Sequence, residues 1–168
     1  MTEHLDRKDA EDRLFKAIED TRVGMLGVAG GEPRHMQPMT AYVEREANEL
    51  WFFTYRDTDL VRDVNASGGH YAMFCVISKD REVYACLGGE LEEHFDRERM
   101  ERYWNPVVAA WYPDGKDDPR LTLVRFDAEE GRVWVSDKGA LGFGYEVLKA
   151  NLTKSTPDAG GVSDVNLQ

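Results

Sequence analysis

Basic residues are in short supply. The chain sets 21 Lys and Arg against 32 Asp and Glu, a formal net charge of −11. That balance argues against a nucleic-acid partner, which calls for a basic surface that displaces counterions. Cysteine is scarcer still, with two in 168 residues. Two thiols make neither a disulfide framework nor a metal knuckle. His4, His70 and His94 have no ligand spacing with one another or with either cysteine, so no metal site is expected. No serine sits in a G-x-S-x-G elbow. Gly139, Gly142 and Gly144 suggest a dinucleotide loop, but Val147 stands where the third glycine of G-x-G-x-x-G belongs. Long apolar runs are missing, and residues 1–20 are too charged for a leader, so a soluble, cytoplasmic chain is expected.

What the chain does contain is alternation. The length suits one domain over residues 1–152, with 153–168, rich in Ser, Asp and Gly, as a flexible tail. Residues 6–20 carry Leu14, Phe15 and Ile18 on one face of a helix. Strands are expected over 21–28, 36–43, 50–55, 70–78, 83–92, 121–126 and 132–136, the last two joined by a turn at Glu129-Glu130-Gly131. Adjacent glycines at 88 and 89 suggest a bulge or bend inside a strand. Short helices are expected over 60–64, 94–103 and 107–111, and a closing helix over 141–151. A hairpin turn at Asp80-Arg81 sets Cys75 opposite Cys86. Reduced core thiols are the plain reading of that pair, a redox pair the alternative. Seven short strands with helices at the rim give a mainly β, α+β chain built on a small antiparallel barrel.

The most informative stretch is PRHMQPMTAYVEREANELWFFTYRDTDLVRDV, residues 33–64. An alternating strand is followed by a nearly all-apolar one, as for a strand buried on both faces. Thr58 or Asp59 is placed to cap the next helix, and hydroxyls beside a helix N-terminus can hold an anion.

This stretch resembles the core of the pyridoxamine 5'-phosphate oxidase-like, FMN-binding split-barrel proteins, in their general stress protein 26-like branch. Gln37, Pro38, Met39, Trp51, Phe52, Phe53, Thr54, Thr58 and Val61 stand at matching positions. VYACLGGELEEHFDRERMERYWNP, AWYPDGKDDPRLTLVRF and Val133-Trp134-Val135 resemble later motifs of the family in the same order, and the resemblance spans roughly residues 8–150. It implies a split barrel that pairs as a homodimer, with FMN, or else FAD or a deazaflavin such as F420, between the subunits. Gln37, Pro38, Met39 and Thr40 would run along the ring. Phe53, Thr54, Tyr55 and Thr58 would follow it to the phosphate, with Trp111 or Trp134 covering the ring. The implied function is flavin binding of the general stress type, as a modest flavin-dependent oxidoreductase or a flavin carrier. A non-enzymatic barrel holding another ligand, or none, is the alternative. A true pyridoxamine phosphate oxidase is not expected, because residues 137–158 contain no Arg. Asp59 and Leu60 stand where relatives place a cation at the phosphate. Each charge-assisted hydrogen bond lost there should cost about 1–3 kcal/mol. Arg34, Arg56 and Arg62 are the candidates to compensate.

Overall fold

The computed structural model describes residues 3–30, 35–67, 69–136, 139–154 and 160–168. The expected roles of Gly31, Arg34 and Gly68 lie outside them.

A two-residue strand β1 (Glu3–His4) leads into helix α1 (Arg7–Thr21). Asp6 caps α1 by accepting from the amides of Lys8 and Asp9, and Ala10, Leu14, Phe15, Ala17 and Ile18 form its buried stripe. Strand β2 (Val23–Val28) follows, then β3 (Gln37–Thr40) and β4 (Tyr42–Glu44). The single strand expected over 36–43 is therefore two. β3 pairs with β2, whereas β4 pairs with β5 (Glu49–Tyr55). Between them the amide of Ala41, which is buried, donates to the carbonyl of Arg22. Helix α2 (Asp59–Ser67) and the hairpin of β6 (His70–Ile77) and β7 (Val83–Glu93) come next. Ser78 Oγ holds the hairpin turn by accepting from Glu82 N at 3.1 Å and Val83 N at 2.9 Å.

Helices α3 (Arg97–Tyr103) and α4 (Pro106–Trp111) are short. Asp96 caps the first. Asn105 caps the second, with Pro106 in the opening turn, where a missing amide costs nothing. The two strands expected over 121–126 and 132–136 form one, β8 (Leu121–Val135). The expected turn is absent because Glu129 is taken up as a bulge. Gly88 pairs with Glu130 and Gly89 with Ala128, so the register slips by one residue without breaking the strand. Helix α5 (Gly139–Thr153) precedes strand β9 (Gly161–Asn166). The tail expected to be flexible thus ends in the sheet: Val162, Ser163 and Val165 pair with Trp134, Val133 and Gly131. Alternating Val-Ser-Asp-Val is a strand pattern too short to stand out from the polar composition around it.

β8 is the spine. Its first half pairs with β5, its second half with β9, and residues 124–135 with β7. The sheet runs β1-β9-β8-β7-β6-β2-β3, with β5 and then β4 branching from β8, nine strands among the described residues. All pairings are antiparallel except β1 with β9. β3 ends one arm and β4 the other, and one residue separates them. The sheet must curl until its two ends nearly meet, which makes it a split half-barrel.

The curl leaves two cores. Leu14, Ile18, Leu26, Phe52, Phe74, Leu87 and Phe126 pack inside the barrel. Trp51, Phe53, Met100, Val108, Leu121 and Leu123 pack under α3 and α4. Every residue from Leu50 to Thr54 of β5 is buried, alternate side chains serving opposite cores. Fully burying a side chain such as Phe52 is worth about 1.5–3 kcal/mol. No helix among the described residues is long and apolar enough to cross a membrane.

Candidate functional site

Among the described residues β3 is an edge strand, so one row of its backbone amides and carbonyls has no strand partner there. Beside it lies a groove of about 660 Å³. Its floor is Gln37, Pro38, Met39 and Thr40 of β3 with Val23 of β2. Phe53, Thr54 and Tyr55 of β5, Thr58 and Tyr42 form one wall, and Val107, Val108, Trp111 and Tyr112 form the other.

The walls are aromatic and held from behind. Tyr42 meets Phe53 edge-on at 5.7 Å and stacks on Tyr103 at 4.7 Å. Tyr112 lies 5.0 Å from Tyr55, and its hydroxyl donates to the Phe53 carbonyl at 2.7 Å. Burial, with smaller contributions from the neighbouring tyrosines, pushes the Tyr112 hydroxyl up to about 12, so it stays a donor at neutral pH. Trp111 stands 77% exposed at the rim, a large ring available to a ligand.

The hydroxylated end is built by the β5-to-α2 connection. Thr54 Oγ1 lies 3.4 Å from Thr58 Oγ1. Thr58 Oγ1 donates to the Tyr55 carbonyl at 2.9 Å and accepts from Val61 N at 3.4 Å, so it caps α2 as well as facing the groove. A second cavity of about 390 Å³ shares Gln37 and Thr58 with the groove and continues past His35, Asp57, Asp59, Arg62 and Asp63.

Among the described residues, the cations at this end already have carboxylate partners. Arg62 pairs with Asp59. Arg56 pairs with Glu93 at 2.7 Å and lies over Phe95. Arg120 sits over the Tyr55 ring, 5.0 Å from its centroid, and pairs with Asp114 and Asp118. A ligand phosphate here would meet hydroxyls and amides first and would compete with carboxylates for guanidinium groups.

All the expected site residues except Trp134 are brought together in this groove. Trp134 lies on the outer face of the sheet, 44% exposed, against a separate cavity with Tyr71, Met73 and Cys86. Sequence reasoning missed Tyr42, Val23, Val107, Val108 and Tyr112. Tyr112 had a visible signal, the aromatic pair of AWYPDG, but the polar residues after it made the segment read as loop. Val23 and Tyr42 had none, because Val23 joins the floor through its pairing with Thr40 and Tyr42 joins the wall only after the chain changes partner at Ala41. Trp51 and Phe52 prove fully buried, and Phe53 is both core and groove wall.

The fold is a split half-barrel, and its edge-strand groove combines aromatic walls with a hydroxylated end. The chain belongs to the pyridoxamine 5'-phosphate oxidase-like family, whose model matches residues 9–158. General stress protein 26 of Bacillus subtilis (strain 168) is 21% identical over 131 residues, 77% of this chain and 91% of that protein. Among solved structures, one assigned as a general stress protein 26 from Jannaschia sp. CCS1 is 34% identical with a TM-score of 0.78, covering 95% of this chain and 99% of that one. The general stress FMN/FAD binding protein from Xanthomonas citri is 38% identical with a TM-score of 0.69, covering 76% of this chain and 89% of that one.

Proposed function

We propose that this chain is a flavin-binding protein of the general stress type that holds FMN or FAD in the β3 groove. The observation that carries the reading is the convergence of Gln37 to Thr40, Phe53 to Tyr55, Thr58 and Trp111 on one groove of about 660 Å³, well sized for a ring system of this kind. The unpaired edge of β3 offers backbone donors and acceptors to the polar edge of the ring. Phe53, Tyr42 and Tyr112 exclude water from one side, and Trp111 covers the rim. Thr54 and Thr58 hydroxyls bind the phosphate end. A bound flavin would supply one- and two-electron redox chemistry, the protein supplying position and exclusion of solvent. Action as a modest flavin-dependent oxidoreductase or a flavin carrier follows from that chemistry. The reading extends to a homodimer. Val23, Met25, Met73, Tyr84 and Trp134 leave an exposed apolar stripe on the outer face, and a second copy is the way for Trp134 to reach a groove.

A second reading is favoured by one observation. The described arginines at the hydroxylated end already have carboxylate partners, and Asp57, Asp59 and Asp63 crowd the adjoining cavity. On that reading the groove belongs to a non-enzymatic barrel with another ligand, a deazaflavin included.

Fluorescence titration of ligand-free protein with FMN and with FAD separates the two. Thr54→Val deletes one hydroxyl at nearly constant volume and should weaken flavin binding about tenfold or more, the cost of a hydrogen bond to a charged group. Trp111→Ala should weaken it through the ring, without the salt dependence of a phosphate contact. Binding unchanged in both variants would remove the flavin from this groove. Light scattering across protein concentrations tests the dimer.

A further inference from the structure

The groove does not stop at its hydroxylated end. Its floor follows β3 from Thr40 to Gln37, which pair with Val23 and Leu26 of β2. The cavity of about 390 Å³ takes over at Gln37 and Leu26 and continues along β2 through Gly27 to Val28. Successive strand residues advance by about 3.3 Å, so the second space extends the first along the strand rather than lying beside it. Gln37 and Thr58 line both and form the waist between them. There Gln37 Nε2 meets the Met39 sulfur at 3.7 Å, a weak acceptor that leaves the amide open to a better one.

The second compartment has its own chemistry. Leu26 is fully buried, and Val28 and Leu60 pack on the barrel core, so one side is apolar. Carboxylates supply acceptors on the other. Asp59 is paired with Arg62, whereas Asp57 is exposed and has no ion-pair or hydrogen-bond partner among the described residues. A terminal phosphate suits this arrangement poorly. The monoester of FMN carries about −1.5 to −2 charges at pH 7, and it would end between Thr58 and the carboxylates of Asp57 and Asp59. Each bridging phosphate of a dinucleotide carries about −1, and the molecule goes on to a neutral nucleoside. Adenosine offers a flat apolar face to Leu26, Val28 and Leu60. Its ribose hydroxyls are donors for a carboxylate, the pairing by which an acidic residue holds a nucleotide ribose.

We propose that the compartment beyond Thr58 is the adenosine site of a flavin dinucleotide, and that the chain selects FAD over FMN. The ring system lies in the groove, and the two phosphates pass the waist at Thr54, Thr58 and Gln37. The adenosine enters between the end of β2 and the start of α2, where the Asp57 carboxylate accepts from the ribose hydroxyls. The carboxylates that disfavour a bare phosphate thus become ligands of the nucleoside. The assignment rests on the flavin reading of the groove and names which flavin the groove takes.

The test measures Kd for FMN and for FAD on the ligand-free, full-length protein and compares their ratio. FAD is expected to bind about tenfold or more tightly, the gain from hydrogen bonds to a charged group. Val28→Phe fills the far end of the compartment and should bring the ratio back toward unity. Asp57→Ala removes the ribose acceptor and should cut the FAD preference about threefold or more. Both constants come from one preparation, so a loss of folded protein in a variant cancels in the ratio. FMN binding as tightly as FAD, or more tightly, would overturn the assignment and leave the flavin reading standing. Failure of both flavins to bind would remove the two together. An FAD preference that neither variant reduces would put the adenosine elsewhere and overturn the site.

Discussion

Arg99→Met is the substitution whose cost the structure lets one work out most fully. Arg99 reaches from α3 to β4, where Nε and Nη2 donate to the two carboxylate oxygens of Glu44 at 2.9 and 2.8 Å. Nη1 donates to Asp96 at 2.6 Å, and the guanidinium lies 4.4 Å from the Trp51 ring centroid. The side chains of Arg99 and Glu44 are 27% and 19% exposed, so the pair sits between two regimes. Exposed pairs are worth about 0–1 kcal/mol, and breaking a buried one costs about 3–5 kcal/mol. The forked geometry and the ring contact place this loss at about 2–3 kcal/mol. In a chain of this size that should lower Tm by about 5–10 °C. Methionine keeps most of the apolar stem, so the loss reports the guanidinium. The assay is thermal unfolding by circular dichroism on the parent, Arg99→Met, Glu44→Gln and the double variant. Glu44 also accepts from Tyr103 at 2.6 Å, and Tyr103 stacks on Tyr42 of the groove wall, so flavin affinity should fall as well. A Tm change below about 2 °C, or single losses that simply add in the double variant, would refute the coupling argued here.

The same network predicts an acid limb. Arg99, with help from Tyr103, holds the Glu44 carboxylate below its ordinary range. Its stabilising contribution is therefore present above the unfolded-state value near 4.5 and is lost as pH falls from there through the lower folded-state value, so Glu44→Gln should flatten the fall in Tm over that window. Thr58→Ala should cost about 0.5–2 kcal/mol in denaturant unfolding because it removes the α2 cap, whereas Thr58→Ser should cost less. Gly89→Ala should be the harsher of two neighbouring changes. Its Cβ would lie 2.0 Å from the Asp127 backbone oxygen, whereas at Gly88 the obstacle is the tip of the Tyr71 side chain at 2.1 Å. A chemical-denaturation comparison should show Gly89→Ala less stable by about 1–3 kcal/mol, and equal losses would contradict the bulge geometry.

Much of this architecture was legible in local pattern. The stripe of α1, the two-sided apolar run of β5 and the Asn105-Pro106 break are short-range signals, and they predict elements that the fold contains. The adjacent glycines marked the bulge for the same reason, since a side chain at Gly89 has no room. What was not legible depends on partners far away in sequence. Nothing local says that residues 36–43 change sheet partner at Ala41. Nothing local says that Glu129-Glu130-Gly131 stays extended because Glu129 bulges out of β8 opposite Gly88 and Gly89, or that residues 161–166 find β8. The groove followed the same division. Its floor and hydroxyls came from one contiguous stretch and its family motif. Tyr42, Tyr112 and Val23 arrive through tertiary packing, and the ion pairs that occupy Arg56, Arg62 and Arg120 become visible only in three dimensions.

The most direct measurement is a titration of ligand-free protein with FMN and FAD, followed by flavin fluorescence, in parallel with Thr54→Val. The account predicts saturable binding of one flavin per groove at micromolar concentrations or below, weakened about tenfold by loss of the Thr54 hydroxyl. Failure of both flavins to bind the unsubstituted protein at millimolar concentration would contradict it and assign the groove to another ligand.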